Sequence, residues 1–181
     1  MRSRAPMRLP MRIALLGWAL SLSVFASDTG VPPAYSNIAR VVGVPETILF
    51  AIAMQESLMP IGEGINAPWP WTLNVDGAPK RLANRQAMGR AIELAEQDGA
   101  RFVDVGLMQI NLHYNGHRFR TRDERLDPYV NIRVGAEILR AEREVCGNWW
   151  CAVGRYHSRT PDRAERYIQG VRRWYALIDQ S

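Results

Sequence analysis

Apolar residues recur at helical spacing in several separate stretches of the chain. Tyr35, Ile38, Ala39 and Val42 share one side of a helix predicted over Ala34 to Val42, with Gly43 to stop it. Pro45 suits the first turn of a second helix running to about Ser57. Asn84 is a fair N-cap for a third, in which Ala87, Ala91, Leu94 and Ala95 form a stripe before Gly99. Asp127-Pro128 reads as cap and first-turn proline of a further helix carrying Val134, Ile138 and Leu139. The last helix opens at Thr160-Pro161 and has the clearest period: Ala164, Tyr167, Ile168, Val171, Trp174, Tyr175 and Ile178.

Between Met59 and Ala83 that period is lost, and Pro and Gly become dense. Within this stretch "WTLNV" followed by Asp76-Gly77 predicts a short strand and a turn, and "RFVDV" predicts a second strand further on. The expected fold is α+β, mainly α, with a small β element between Thr72 and Val105. Internal repeats, low-complexity tracts and long charge blocks do not occur.

The first residues follow a different pattern. Arg2, Arg4, Arg8 and Arg12 precede an apolar run from Ile13 to Phe25, and "VFAS" then offers small residues for cleavage. This order predicts a secretory signal peptide over 1–26, leaving one domain over 27–181 and a periplasmic location. The alternative, an uncleaved anchor, is disfavoured: at 1.5 Å per residue the run falls short of a hydrocarbon core about 30 Å thick. The leader also carries most of the charge. The formal net charge is +5, and the leader's four arginines, with no acid among them, account for all but +1. Nucleic-acid binding therefore has no support from overall charge. On an exported chain, Cys146 and Cys151 in "CGNWWC" read as a disulfide. A zinc site is the alternative, but C-x4-C without a second pair is not the usual ligand spacing.

One residue breaks the apolar logic of the second helix. Glu56 lies at helical spacing from Ile48, Leu49 and Ile52, and no Lys or Arg stands within nine residues of it. A carboxyl group in an apolar setting favours its neutral form, so its pKa rises. An acid still protonated near neutrality can donate a proton to a leaving oxygen and later take one back. The other reading is a structural glutamate bonded to backbone or to a distant arginine.

"ES" at a helix end, "GLMQIN", "DPYVNIRVGAEIL" and "AVGRYHS" follow one another in a fixed order. This ordered set, spanning most of residues 34 to 178, resembles the soluble-type (SLT) lytic transglycosylases of the goose-lysozyme-like superfamily. The resemblance implies a lysozyme-like helical domain that needs no cofactor or metal and acts on peptidoglycan glycan strands. It implies that Glu56 is the single acid/base, supported by Ser57. It further implies that Met108 and Gln109 of Gly106-Leu107-Met108-Gln109 line the sugar groove, that Asn111 is a groove residue, and that the Tyr156 hydroxyl points at the acid. The activity implied is cleavage between N-acetylmuramic acid and N-acetylglucosamine with closure of a 1,6-anhydro ring. A muramidase using water, or a wall-binding adaptor without turnover, are the alternatives. Compact exported relatives suggest local wall opening for conjugation, pilus or secretion machinery, with the Arg-rich "NGHRFRTRDER" as a possible docking face or simply solvated surface.

The chain departs from the family pattern in places. His157 stands where Asn is usual, with Gly154 two residues before Tyr156, and could add charge near the acid. Ile65 replaces a frequent Ser, so Asn66 is a substitute for that contact. The long segment from Trp69 to Phe102 is expected to remodel the groove wall. Trp69 and Trp71 could stack on sugars as readily as pack. Of Trp149 and Trp150, at least one is expected in the core, as is Trp174. His113 and His117 have a metal-compatible spacing without a third ligand. Asp104 reads as structural or solvated rather than as a second acid.

Overall fold

The computed structural model describes residues 30–62 and 64–180. The predicted leader lies outside them. Helix α1 (Pro33–Val42) ends at Gly43, which takes the left-handed conformation with φ 81°. Helix α2 (Glu46–Ser57) follows, with Pro45 just outside it as the N-cap rather than in the first turn. Its residues Ile48 to Ala53 are all buried, so this helix has no solvent face and runs through the centre of the core. Complete burial of Leu49 and Ile52 contributes roughly 1.5–3 kcal/mol each. The stripe expected around Glu56 is therefore a helix apolar all round, with Glu56 where it leaves the core.

The Pro/Gly-rich stretch is more structured than its composition predicts. Strands β1 (Leu58–Gly62) and β2 (Ile65–Pro68) form an antiparallel hairpin with an irregularity between Pro60 and Gly62. Strand β3 (Thr72–Val75) turns at Asp76-Gly77 into β4 (Ala78–Arg81), as the Asp-Gly signal predicts for the turn. Helix α3 (Arg85–Gln97) intervenes before β5 (Val103–Val105) and β6 (Ile110–Asn111). The resulting antiparallel sheet has the order β4-β3-β5-β6, so the β element extends beyond Val105 to Asn111. Asn84 caps α3 as expected, accepting from the Ala87 amide at 2.9 Å. Its inward face is Met88, Ile92 and Ala95, while Leu94 is exposed; the larger apolar side chains set the helix's rotation.

Helix α4 (Leu112–Asn115) and two 3₁₀ turns lead into α5 (Pro128–Cys146), whose cap Asp127 accepts from the amides of Tyr129 and Val130. Helix α6 (Trp149–His157) was not apparent from periodicity, and α7 (Pro161–Ile178) closes the domain. Cys146 and Cys151 form a disulfide joining the end of α5 to α6, a short loop contributing about 2 kcal/mol in the chain-entropy picture. Trp149 and Trp150, both within the bridged loop, are partly buried against the core, under the guanidinium groups of Arg143 and Arg172 respectively. Helix α7 packs on both α2 and α6. The architecture is mainly helical with a small antiparallel sheet on one side. No helix among the described residues is long and apolar enough to cross a membrane.

Candidate active site

Where α2 leaves the core, Glu56 meets a cleft of about 420 Å³ whose opposite wall is the sheet and α4. Asn74 and Arg81 reach it from β3 and β4, Asp104 and Asn111 from β5 and β6, and Tyr156 and His157 from α6. Glu56 is half-buried, and its Oε1 accepts a hydrogen bond from the Tyr167 hydroxyl at 2.5 Å. Oε2 has no hydrogen-bond partner among the described residues. Loss of water around the carboxyl pushes its pKa up to about 7; the Tyr167 bond opposes this, and the Asp104 charge adds to it. Glu56 is thus an acid that can be protonated near neutrality and still hand its proton on.

Asp104, which reads from the sequence as structural or solvated, lines this cleft and also holds a cross-strand partner. Burial raises its pKa, while the bond it accepts from Asn111 Nδ2 at 2.7 Å lowers it. The pair faces across adjacent strands, since Asp104 and Asn111 are direct partners in the β5–β6 register. Asn111 also caps α4 through its Oδ1, which accepts from the Tyr114 amide. Asn111 lines the cleft, with one side of its amide committed to Asp104.

The Gly106–Gln109 turn, by contrast, serves mainly as a fastening point. Met108 is completely buried, under Gly135 of α5, where a Cβ would stand 2.8 Å from the Met108 side chain. The expectation that Met108 lines the groove is corrected: it is not among the cleft-lining residues, and its carbonyl accepts from the Tyr156 hydroxyl at 2.7 Å. Gln109 does edge the cleft, in a left-handed conformation with φ 45°, but its Nε2 donates to the carbonyls of Gly106 and Thr72. Ser57 is fully buried and cannot touch substrate. Its Oγ lies at hydrogen-bond distance from the Ala53 and Leu107 carbonyls, tying the residue beside Glu56 to the turn. Asn131 of α5, which the sequence analysis passed over, completes the clamp: it accepts from the Met108 amide and donates to the Val105 carbonyl.

One assignment changes owner. The hydroxyl on the acid belongs to Tyr167 of α7, not to Tyr156, which is engaged with the Met108 backbone. In the sequence Tyr167 reads as one more apolar stripe residue, and the signal that marks it is that a buried tyrosine needs a partner for its hydroxyl. His157 stacks flat on the Tyr167 ring, with centroids 4.5 Å apart and planes 2° apart. Burial and the nearby Arg163 charge lower its pKa, so at neutral pH it adds a neutral imidazole rather than a charge.

The remaining candidates lie elsewhere. Asn66 is exposed on β2, opposite Pro60, and does not line the cleft. Trp69 donates its indole N–H to the Leu82 carbonyl at 2.8 Å, and Trp71 packs on the core, so both brace the loop. Trp174 is partly buried against the core, as expected. His113 packs between Phe102 and Tyr114.

Residues 81–170 match the family model of the transglycosylase SLT domain. The matched segment holds Asp104, the Gly106–Gln109 turn, Asn131, Tyr156 and Tyr167; Glu56 precedes it and is joined to it through Tyr167 and through Ser57 and Leu107. No curated protein and no solved structure matches the chain. The half-buried acid at the sheet-walled cleft and the matched segment agree: the chain carries a transglycosylase SLT domain, the domain of lytic transglycosylases, enzymes that cleave glycosidic bonds.

Proposed function

We propose that this protein cleaves the β-1,4 bond between N-acetylmuramic acid and N-acetylglucosamine in peptidoglycan, with Glu56 as the only acid/base. The observation that carries the reading is the Glu56 carboxyl, withdrawn from water at the cleft floor with one oxygen held by Tyr167 and the other free. Protonated Glu56 gives its proton to the glycosidic oxygen as the bond to the anomeric carbon breaks, and the sugar's own acetamide assists there. The resulting carboxylate takes the proton of the muramoyl 6-hydroxyl, whose oxygen closes on the anomeric carbon. One carboxyl group suffices because the nucleophile belongs to the substrate, whereas most glycosidases need two. A site that keeps water from the anomeric carbon favours this internal attack.

Hydrolysis is the second reading, and Asp104 favours it, since a second carboxylate in the cleft could orient a water. Export through the 1–26 leader into the periplasm, and local wall opening for a conjugation, pilus or secretion assembly, complete the proposal; they rest on the leader pattern and the family resemblance. The test is digestion of purified peptidoglycan by residues 27–181 beside Glu56→Gln, followed by mass spectrometry. Anhydro-ended fragments from the wild type alone are expected. Reducing ends lost in the variant would mean hydrolysis, and identical products from both proteins would remove Glu56 from the mechanism.

A further inference from the structure

Glu56 borders a second hollow, of about 440 Å³, on the α7 side, lined by Gln55, Glu56, His157, Arg163, Arg166 and Tyr167. Its charge differs from that of the main cleft. There, Arg81 and Asp104 oppose one another. Here Arg163 and Arg166 stand one turn apart on α7, both exposed, and the sole carboxyl in the lining is Glu56 itself. Neither arginine is ion-paired among the described residues, although other arginines of the domain are: Arg155 and Arg159 pair with Glu142, and Arg133 with Glu137. The acids nearest along α7, Asp162 and Glu165, are not part of the lining, and Glu165 accepts from Gln169. The Arg163 charge is felt at His157, whose protonation it opposes. The hollow thus gathers two guanidinium groups and the Gln55 amide around Glu56, and neither guanidinium is ion-paired among the described residues.

We propose that this hollow is an anion-accepting subsite that takes a carboxylate borne by the muramoyl sugar at the cleavage site. The proposal rests on the peptidoglycan reading above and extends it. Of the two alternating sugars, only the muramoyl unit carries a carboxylate, on its lactyl ether or on the peptide attached there. Guanidinium groups bind carboxylates through charge-assisted, often paired hydrogen bonds. With an excess of positive charge on the α7 flank of Glu56 only, a strand entering with its muramoyl substituent toward α7 is favoured over the reverse register. Arg163 and Arg166 are accordingly specificity-determining residues.

The test is calorimetric binding to the disaccharide N-acetylglucosaminyl-N-acetylmuramic acid, which lacks the scissile bond. Four forms are compared: peptide-bearing, peptide-free with a free lactyl carboxylate, and the carboxyl-amidated version of each. The expected result is about tenfold weaker binding after amidation, about 1.4 kcal/mol, and loss of that discrimination in Arg163→Gln/Arg166→Gln. Both positions are exposed, so the double variant should fold, and a circular dichroism melt checks this. Discrimination with the peptide-free form identifies the lactyl group as the anion, and discrimination confined to the peptide-bearing form identifies the stem. Equal binding of amidated and free forms, discrimination that survives in the double variant, or no binding of any form would each overturn the subsite. Carboxylate-dependent binding without anhydro or reducing products from peptidoglycan would instead sink the catalytic reading alone.

Discussion

The Tyr167 hydroxyl donates to Glu56 Oε1 at 2.5 Å, joining α7 to the end of α2 across most of the chain. This bond stabilises the ionised carboxylate, whereas burial and the Asp104 charge stabilise the protonated acid. The acid's titration is the balance of these three influences, and each can be removed separately.

Removing the tyrosine hydroxyl tests the first. In Tyr167→Phe the carboxylate loses its donor, so Glu56 titrates higher. In the mechanism proposed above the first step needs protonated Glu56, so kcat/KM is expected to fall above its pKa, about 7 in the wild type. The alkaline limb of the profile is expected to move to higher pH in the variant. The less well held acid should lower peak kcat/KM on the order of tenfold. A limb that stays in place would show that the hydroxyl does not tune the acid.

Asp104→Asn tests the opposite influence. Without the neighbouring negative charge, ionised Glu56 is less disfavoured, and the alkaline limb should move to lower pH. The same variant separates the two chemical outcomes. If Asp104 only tunes Glu56, anhydro products persist; if it orients water, reducing-end products disappear selectively.

Folding stability carries the same signature. The Glu56 pKa is raised from 4.5 to about 7, so its contribution to stability is fully present below pH 4.5 and is lost as pH rises through 7. Glu56→Gln removes the group responsible. The variant should gain about 1–3 kcal/mol over the wild type at pH 8 and little at pH 4, allowing for the residue's partial exposure. Urea unfolding at the two pH values decides it, and an equal difference at both would mean that the carboxyl is not desolvated.

The helices were legible because long apolar stripes with Asn or Asp caps have few other solutions: Asn84, Asp127 and the proline-led start of α7 all fall where the pattern places them. The β1–β2 hairpin was not, because its strands are largely exposed and carry no alternation of apolar and polar residues to announce them. Helix α6 is short, and its "WWC" start masks its period. Within the site, Glu56 stood out through local contrast alone. Tyr167 and Asp104 did not, because what distinguishes them is a contact made at long range: a hydroxyl on an acid 111 positions away, and a carboxylate brought beside Glu56 by strand pairing. The motif places both Tyr156 and Met108 in the groove; in three dimensions Tyr156 lines the cleft while its hydroxyl holds the Met108 backbone, and Met108 itself is buried in the turn behind it.

That support should fail when its polar contacts are cut. Ser57→Ala leaves the buried Leu107 carbonyl without its side-chain partner and is expected to cost about 1–3 kcal/mol, measured by urea unfolding. Activity per folded molecule should fall as well, since Ser57 fixes the backbone that carries Glu56. A variant that loses stability but keeps full kcat would show that the Ser57–Leu107 link holds the fold and not the acid.

Gly106→Ala is the most severe single change expected at the turn, for two independent reasons. Gly106 sits at φ 80°, where an L side chain costs roughly 1–2 kcal/mol. A Cβ there would also stand 2.5 Å from Asn131 Nδ2, so the clamp on the Met108 amide and Val105 carbonyl must shift. Displacing Asn131 strands two buried backbone groups between the sheet and α5, adding about 1–3 kcal/mol. Asn131→Ala relieves the clash but not the backbone strain, and it carries its own loss of the clamp. In a double-mutant cycle, Gly106→Ala should therefore cost less in the Asn131→Ala background than in the wild type, by roughly 1 kcal/mol or more. Strictly additive costs would place the whole effect in the backbone of Gly106 and none in its contact with Asn131.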